Sequence, residues 1–333
     1  MTDQPVLPGV LPSGLRLRPV RVVDGGIDAT DLATVTRLMT ACDVAVIGEP
    51  DSGEADIAGM LAMPTMDRVA SFLAFDGDTA VAFTWVENDA TARGSFVDVF
   101  APPGPCADEV RHAGLEIGLA AASRHHREAP EPGPWTVHCG AWLQDEEYAA
   151  VIVAHGLEPA RRFYRMRIDS SSPEIPAVAP PLPAGVELVV RDDEETRRRV
   201  WALDMDSFSE HYNFHLREFD EWWEHWETSP TRDPAGWWLL TVDGEDAAVC
   251  LLDESRAELG EGYVAILGVR DEFRGRGLAK LLLQRAFVHY RDLGRGGTQL
   301  GVDADNTTGA VRVYESVGMA PTRAIQSYAR ELD

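Results

Sequence analysis

The 333-residue chain contains a single lysine, Lys280, and its other basic side chains are arginines. Lysine and arginine together number 30 against 55 aspartates and glutamates, a formal charge of −25. A chain this acidic repels phosphate backbones, which argues against general nucleic-acid binding and docking on anionic membranes. Cysteine is scarce as well. Cys42, Cys106, Cys139 and Cys250 stand singly with no C-x-x-C pair, so neither a disulfide framework nor a structural zinc is expected. No apolar run approaches the roughly 20 residues that span a bilayer. The opening Met1-Thr2-Asp3-Gln4-Pro5 carries no basic stretch of a secretory signal, so a cytoplasmic location is expected. A P-loop G-K-[ST] and a Rossmann G-x-G-x-x-G are both missing, which excludes those two ways of holding a nucleotide.

What is present is a concentration of proline near the middle. The stretch DSSSPEIPAVAPPLPAG holds Pro173, Pro176, Pro180, Pro181 and Pro183 with little to bury, which predicts an extended linker over 169–186. It separates residues 15–168 from 187–333, and residues 1–14 read as a loose tail. The two parts repeat one pattern. Each opens with a short apolar strand and a helical stretch, then places two β-type runs around Asp-Gly, at Asp76-Gly77 and Asp243-Gly244. That is a hairpin signature. A strand, a loop, a long amphipathic helix, a further strand and helix, and a last strand follow in each. The predicted fold class is α/β: two tandem domains, each a mixed, mostly antiparallel sheet flanked by helices.

The strongest local signal is GYVAILGVRDEFRGRGLAKLLLQRAF. A strand ends near Val269, and a helix begins at Leu278 with Leu281, Leu282 and Arg285 at helical spacing. Between them, Gly277 lets backbone approach a ligand, and the helix start adds partial positive charge. Arg274, Arg276 and Lys280 supply formal charge, so the segment suits a pyrophosphate.

The pattern R-x-x-G-x-A at 274–279 after a strand, followed by DADNTTGAVRVYESVGM at 303–319, resembles the GNAT acyltransferase superfamily. The two-copy layout is similar to tandem GNAT proteins of the mycothiol synthase type. The resemblance implies acetyl-CoA as co-substrate, no metal, and transfer of the acetyl group to a primary amine by direct attack in the C-terminal domain. Leu267, Gly268 and Val269 would present backbone groups to the pantetheine arm, with Gly268 fitting the bulge that splays this strand. Arg274, Gly275, Arg276, Gly277, Leu278, Ala279 and Lys280 would cradle the pyrophosphate. Asn306 would touch the pantetheine arm, Arg312 would lie near the phosphates, and Tyr314 would protonate the departing thiolate. Glu261 is the chosen base, with Glu258, Glu210 and His211 as alternatives.

On the acceptor side, Glu210, His211 and Tyr212 are the expected substrate-binding residues, and their chemistry suits a small cationic amine. Phe219, Trp222, Trp223 and Trp226 fall at i, i+3, i+4 and i+7, the spacing of a packed helix face. A reading of another class is a non-enzymatic acyl-CoA sensor or scaffold. Setting Gly156 against Gly318 places Gln144 opposite Asn306 and Ile152 opposite Tyr314. In that copy Pro102, Pro103 and Pro105 remove backbone donors, and Arg111 to Glu116 is the nearest remnant of the anion motif. The N-terminal copy is therefore expected to do no chemistry.

Overall fold

The computed structural model describes residues 9–23, 26–130, 132–209, 214–305 and 309–332. The chain forms two compact units, Met1–Arg162 with Ile325–Asp333, and Phe163–Ala324.

The first unit begins with β1 (Arg16–Pro19), followed by a small ribbon of β2 (Val22–Val23) and β3 (Gly26–Ile27). Helix α1 (Ala29–Ile47) starts where the Asp28 side chain accepts from the Asp31 amide and stops at Gly48, whose φ is 84°. Then come α2 (Glu54–Ala62), β4 (Phe72–Asp76), β5 (Thr79–Asp89), β6 (Gly94–Phe100), α3 (Ala107–Glu128), β7 (Trp135–Trp142), α4 (Glu146–Ala154) and β8 (Glu158–Asp169). The second unit repeats the series with β9 (Val186–Val189), α5 (Glu194–Ser207), α6 (Phe219–Glu227), β10 (Arg232–Val242), β11 (Glu245–Asp253), β12 (Glu261–Val269), α7 (Leu278–Asp292), β13 (Gly297–Asp303), α8 (Ala310–Glu315) and β14 (Ala320–Leu332).

Each sheet is antiparallel apart from one parallel pair, β6 with β7 and β12 with β13. The β10–β11 turn is the predicted Asp243-Gly244, and both residues have positive φ, 50° and 86°. Turns of that hand match the twist of paired strands. The sheet faces divide the helices. In the second unit, α7 and α8 pack on one face through Leu282, Leu283, Phe287 and Tyr314. On the other, Val200 and Leu203 of α5 and Phe219, Trp222 and Trp226 of α6 meet Trp237, Leu239, Val249 and Leu251. The aromatic stripe is thus the buried face of α6.

The last strands are exchanged. Residues 163–169 of β8 pair with β13 in the second unit, and residues 325–332 of β14 pair with β7 in the first. The linear cut expected at the proline-rich segment does not describe these units. Nor is that segment a bare spacer, since Ile175 is buried and α7 holds the chain. Arg285 Nη1 donates to the Pro180 carbonyl at 2.6 Å, and Arg291 to those of Pro176 and Ala177 at 2.8 and 3.0 Å. An extended proline-rich chain makes no hydrogen bonds of its own, so its carbonyls are available to arginine. The expected tail is likewise anchored from Gly9, with Leu11 buried in the first core.

Candidate active site

Strand β12 is the axis of the site. It follows β13 only over Glu261, Gly262 and Tyr263, opposite Gly297, Thr298 and Gln299. Beyond Tyr263 the two parallel strands part. On its other side, Leu251 faces Ile266 and Leu252 faces Val264, so Ala265 is an extra residue in β12. An added residue bends and twists a strand, which opens the sheet at this point. The bulge expected at Gly268 therefore lies at Ala265. Gly268 answers a different demand: a Cβ there would sit 2.7 Å from Ser207 Cβ and 2.8 Å from its Oγ. Only glycine lets the end of α5 lie against the strand.

The gap is a cavity of about 610 Å³. Leu267, Gly268 and Val269 form one wall, and Arg274, Gly275, Gly277, Leu278, Ala279 and Lys280 close one end. Gly275 and Gly277 adopt φ of 75° and 78°, and a Cβ on either would meet nothing within 4 Å. Glycine is needed there for the left-handed backbone, and the space in front stays open. Gly277 caps α7 with no side-chain cap hydrogen bond among the described residues. The start of α7 lines the cavity end, and unsatisfied helix-start amides suit an anion.

The charged residues of the loop divide. Lys280 lines the cavity. Arg274 lines it too, while its Nε donates to the Val269 carbonyl at 3.2 Å and its Nη1 pairs with Asp271 at 2.6 Å. Arg276 turns back, donating to the Glu272 carbonyl at 3.2 Å with its guanidinium over the Phe273 ring. Neither Arg276 nor the exposed Arg312 is part of the lining.

Tyr314 lines the cavity from α8 and is 8% exposed. Burial pushes its phenol up to about 12, so the hydroxyl keeps its proton across the physiological range. Glu261, expected as the base, is elsewhere. Arg167 of β8 grips both its oxygens, Nη2 to Oε1 at 2.8 Å and Nε to Oε2 at 3.1 Å, and Glu261 is not among the cavity residues. Its carboxylate is turned to Arg167 and away from the cavity, so Glu261 is not placed to take a proton from an acceptor bound there. Glu258 is exposed on the short turn before β12 and lies outside the lining as well. Glu210, His211, Tyr212 and Asn306 lie outside the described residues.

Among the lining residues that escaped the sequence reading are Phe163 from the exchanged strand, Ser207 and Phe208 at the end of α5, and Asp303 at the end of β13. Asp303 opens the 303–319 motif, so a signal for it existed. The others are brought in by packing.

The first unit lacks these features. Strand β6 pairs with β5 without interruption from Phe83–Phe100 to Asp89–Gly94, so it has no counterpart of the Ala265 bulge. The Tyr148 hydroxyl accepts from the Val99 amide at 2.8 Å and sits 3.3 Å from Cys139 Sγ, filling the space beside β6. Under the Gly156–Gly318 correspondence its opposite number is Ala310, which lines the open cavity. Arg111 to Glu116, the expected remnant of the anion motif, lies inside α3, which starts at Ala107. Arg111 is buried beside Asp145 and Glu147.

Comparison with known proteins agrees with this geometry. Residues 197–319 match the Acetyltransferase (GNAT) family. A mycothiol acetyltransferase of Thermobispora bispora is 30% identical over 250 residues, 74% of this chain and 78% of that protein. One of Pseudarthrobacter chlorophenolicus is 27% identical over 329 residues, 90% of this chain and 92% of its own length. Among solved structures, a GCN5-related N-acetyltransferase from Sphaerobacter thermophilus superposes with a TM-score of 0.78 at 24% identity over 97% of each chain. A tandem GNAT protein from the clavulanic acid biosynthesis pathway does so at 0.72 and 18% identity, covering 95% of this chain and 98% of that one. A split sheet with a glycine-built anion end, matched by relatives over most of their length, places the chain in the GNAT family of acetyl-CoA-using enzymes, as an N-acetyltransferase.

Proposed function

We propose that the second unit transfers the acetyl group of acetyl-CoA to a primary amine of a small, cationic metabolite by direct attack. The observation that carries this reading is the open cavity beside β12, with an anion-suited end at Gly275 to Lys280 and the protonated Tyr314 on its wall. In this reading the phosphates lie on the α7 amides with Lys280 close by, and the pantetheine arm runs along Leu267 to Val269. Backbone amides of the splayed strand polarise the thioester carbonyl, and Tyr314 gives its proton to the departing thiolate. An ammonium acceptor must first lose a proton. Among the described residues the carboxylate lining the cavity is Asp303, and we assign that proton to it. The charge of −25 favours approach of a cation.

The test is release of free CoA thiol from acetyl-CoA against a panel of aminosugars, amino-acid-derived amines and polyamines. Release that depends on one amine class supports the proposal; acetyl-CoA binding with no amine-dependent release across the panel overturns it. A narrower reading, acetylation of the desacetyl precursor of mycothiol, is favoured by the near full-length match to the Pseudarthrobacter chlorophenolicus relative. Including that precursor in the panel decides it.

A further inference from the structure

Ser207 is the last residue of α5 and is 8% exposed. Its Oγ is closed off from solvent and has no hydrogen-bond partner among the described residues. A serine near a helix end ordinarily returns its hydroxyl to a carbonyl one turn back, and Ser207 does not. Leaving a buried hydroxyl unsatisfied costs about 1–3 kcal/mol, so a native structure that keeps one calls for a reason.

The surroundings supply it. Ser207 lines the cavity and rests on Gly268, in the stretch of β12 that forms the cavity wall. That glycine is what allows the helix end so close, since any Cβ would strike Ser207. The other polar side chains of the lining are engaged or sit at the anion end. Ser316 donates to the Val313 carbonyl at 2.7 Å, Asp303 accepts from the Asp305 amide at 2.9 Å, and Arg274 and Lys280 belong to the α7 start. Two hydroxyls remain, Tyr314 and Ser207, and they come from elements packed on opposite faces of the sheet.

Resting on the acetyl-CoA reading above, we infer that the Ser207 hydroxyl donates a hydrogen bond to the thioester carbonyl oxygen of the bound acyl donor. The carbonyl supplies the acceptor that the unliganded fold withholds from this hydroxyl. As the amine adds, negative charge collects on that oxygen, and the bond strengthens. The backbone amides of β12 and Ser207 then act on the same oxygen from two elements.

The experiment compares acetyl-CoA with CoA, which lacks the thioester carbonyl, as calorimetric ligands of the wild-type chain and Ser207→Ala. The expected result is a loss of about fivefold in acetyl-CoA affinity with CoA affinity unchanged. The thermal midpoint of the free variant should stand at or above the wild-type value, because an unsatisfied hydroxyl has been removed. Unchanged acetyl-CoA affinity, or an equal loss for both ligands, overturns the assignment of Ser207 and leaves the functional reading standing. A wild-type chain that binds neither ligand overturns the functional reading itself.

Discussion

The hydroxyl of Tyr148 accepts the backbone amide of Val99 at 2.8 Å, so a side chain of the first unit occupies the strand edge that lies open beside β12 in the second. The same hydroxyl lies 3.3 Å from Cys139 Sγ, which in turn donates to Asp98 Oδ1 at 3.5 Å. Burial raises the pKa of all three groups, which favours their protonated forms.

One donor molecule per chain is the expected stoichiometry. Calorimetry with acetyl-CoA checks it, and two equivalents at comparable affinity would show that Tyr148 yields to the ligand. Tyr148→Phe strands the Val99 amide in the core and should lower stability by about 1–3 kcal/mol without changing turnover.

Removing the proposed proton donor should act on chemistry alone. Tyr314→Phe is expected to lower kcat by roughly 10²-fold or more, the ordinary scale for general acid catalysis. Acetyl-CoA affinity measured by calorimetry should not move. Since burial pushes the Tyr314 phenol up to about 12, no alkaline loss of activity below pH 10 should trace to this group.

Glu261 belongs to the scaffold, clasped by Arg167 above Gly297, where a Cβ would come within 2.6 Å of the Arg167 Nη2. Glu261→Gln is expected to retain kcat within about threefold while lowering the unfolding midpoint, because it leaves Arg167 partly uncompensated. A loss of two orders of magnitude in kcat with an unchanged midpoint would return Glu261 to the chemistry.

Two glycines should fail for different reasons. Gly268→Ala drives a methyl into Ser207 and should destabilise the fold by about 1–3 kcal/mol. Gly277→Ala meets no atom but forces an L residue into the left-handed region at a cost of roughly 1–2 kcal/mol. Its larger effect should be on acetyl-CoA affinity, because the α7 amides are aimed by that turn. Thermal unfolding read beside calorimetric affinity separates the two.

Asp204 makes stability depend on pH. It lies within α5 and accepts from Trp222 Nε1 at 2.8 Å, and burial raises its carboxyl from 3.8 to about 6. A raised folded pKa favours the protonated form, so its contribution is complete below pH 4 and is lost as pH rises through 6. The loss is up to about 3 kcal/mol. Asp204→Asn keeps an acceptor for Trp222 and removes the titration. Denaturant unfolding should find it more stable than wild type at pH 7.5 and equal to it at pH 4; the reverse order would contradict the burial argument.

Local chemistry made much of this molecule legible in one dimension. Asp-Gly between two β runs dictates a hairpin because its residues tolerate positive φ, and the strand, glycine turn and helix start of 261–292 are read from backbone chemistry alone. The stripe of Phe219, Trp222 and Trp226 required a packed face, and α6 buries it. Tertiary structure decided the rest. No local pattern marks the exchange of β8 and β14, because a strand's partner is chosen by register and burial across the whole chain. Ala265 is the bulge, and Gly268 is not, because pairing with β11 fixes where the extra residue falls. Ser207 meets Gly268 and Tyr148 meets Val99 only after helices dock on sheets, so which strand edge stays open and which is filled was settled by packing.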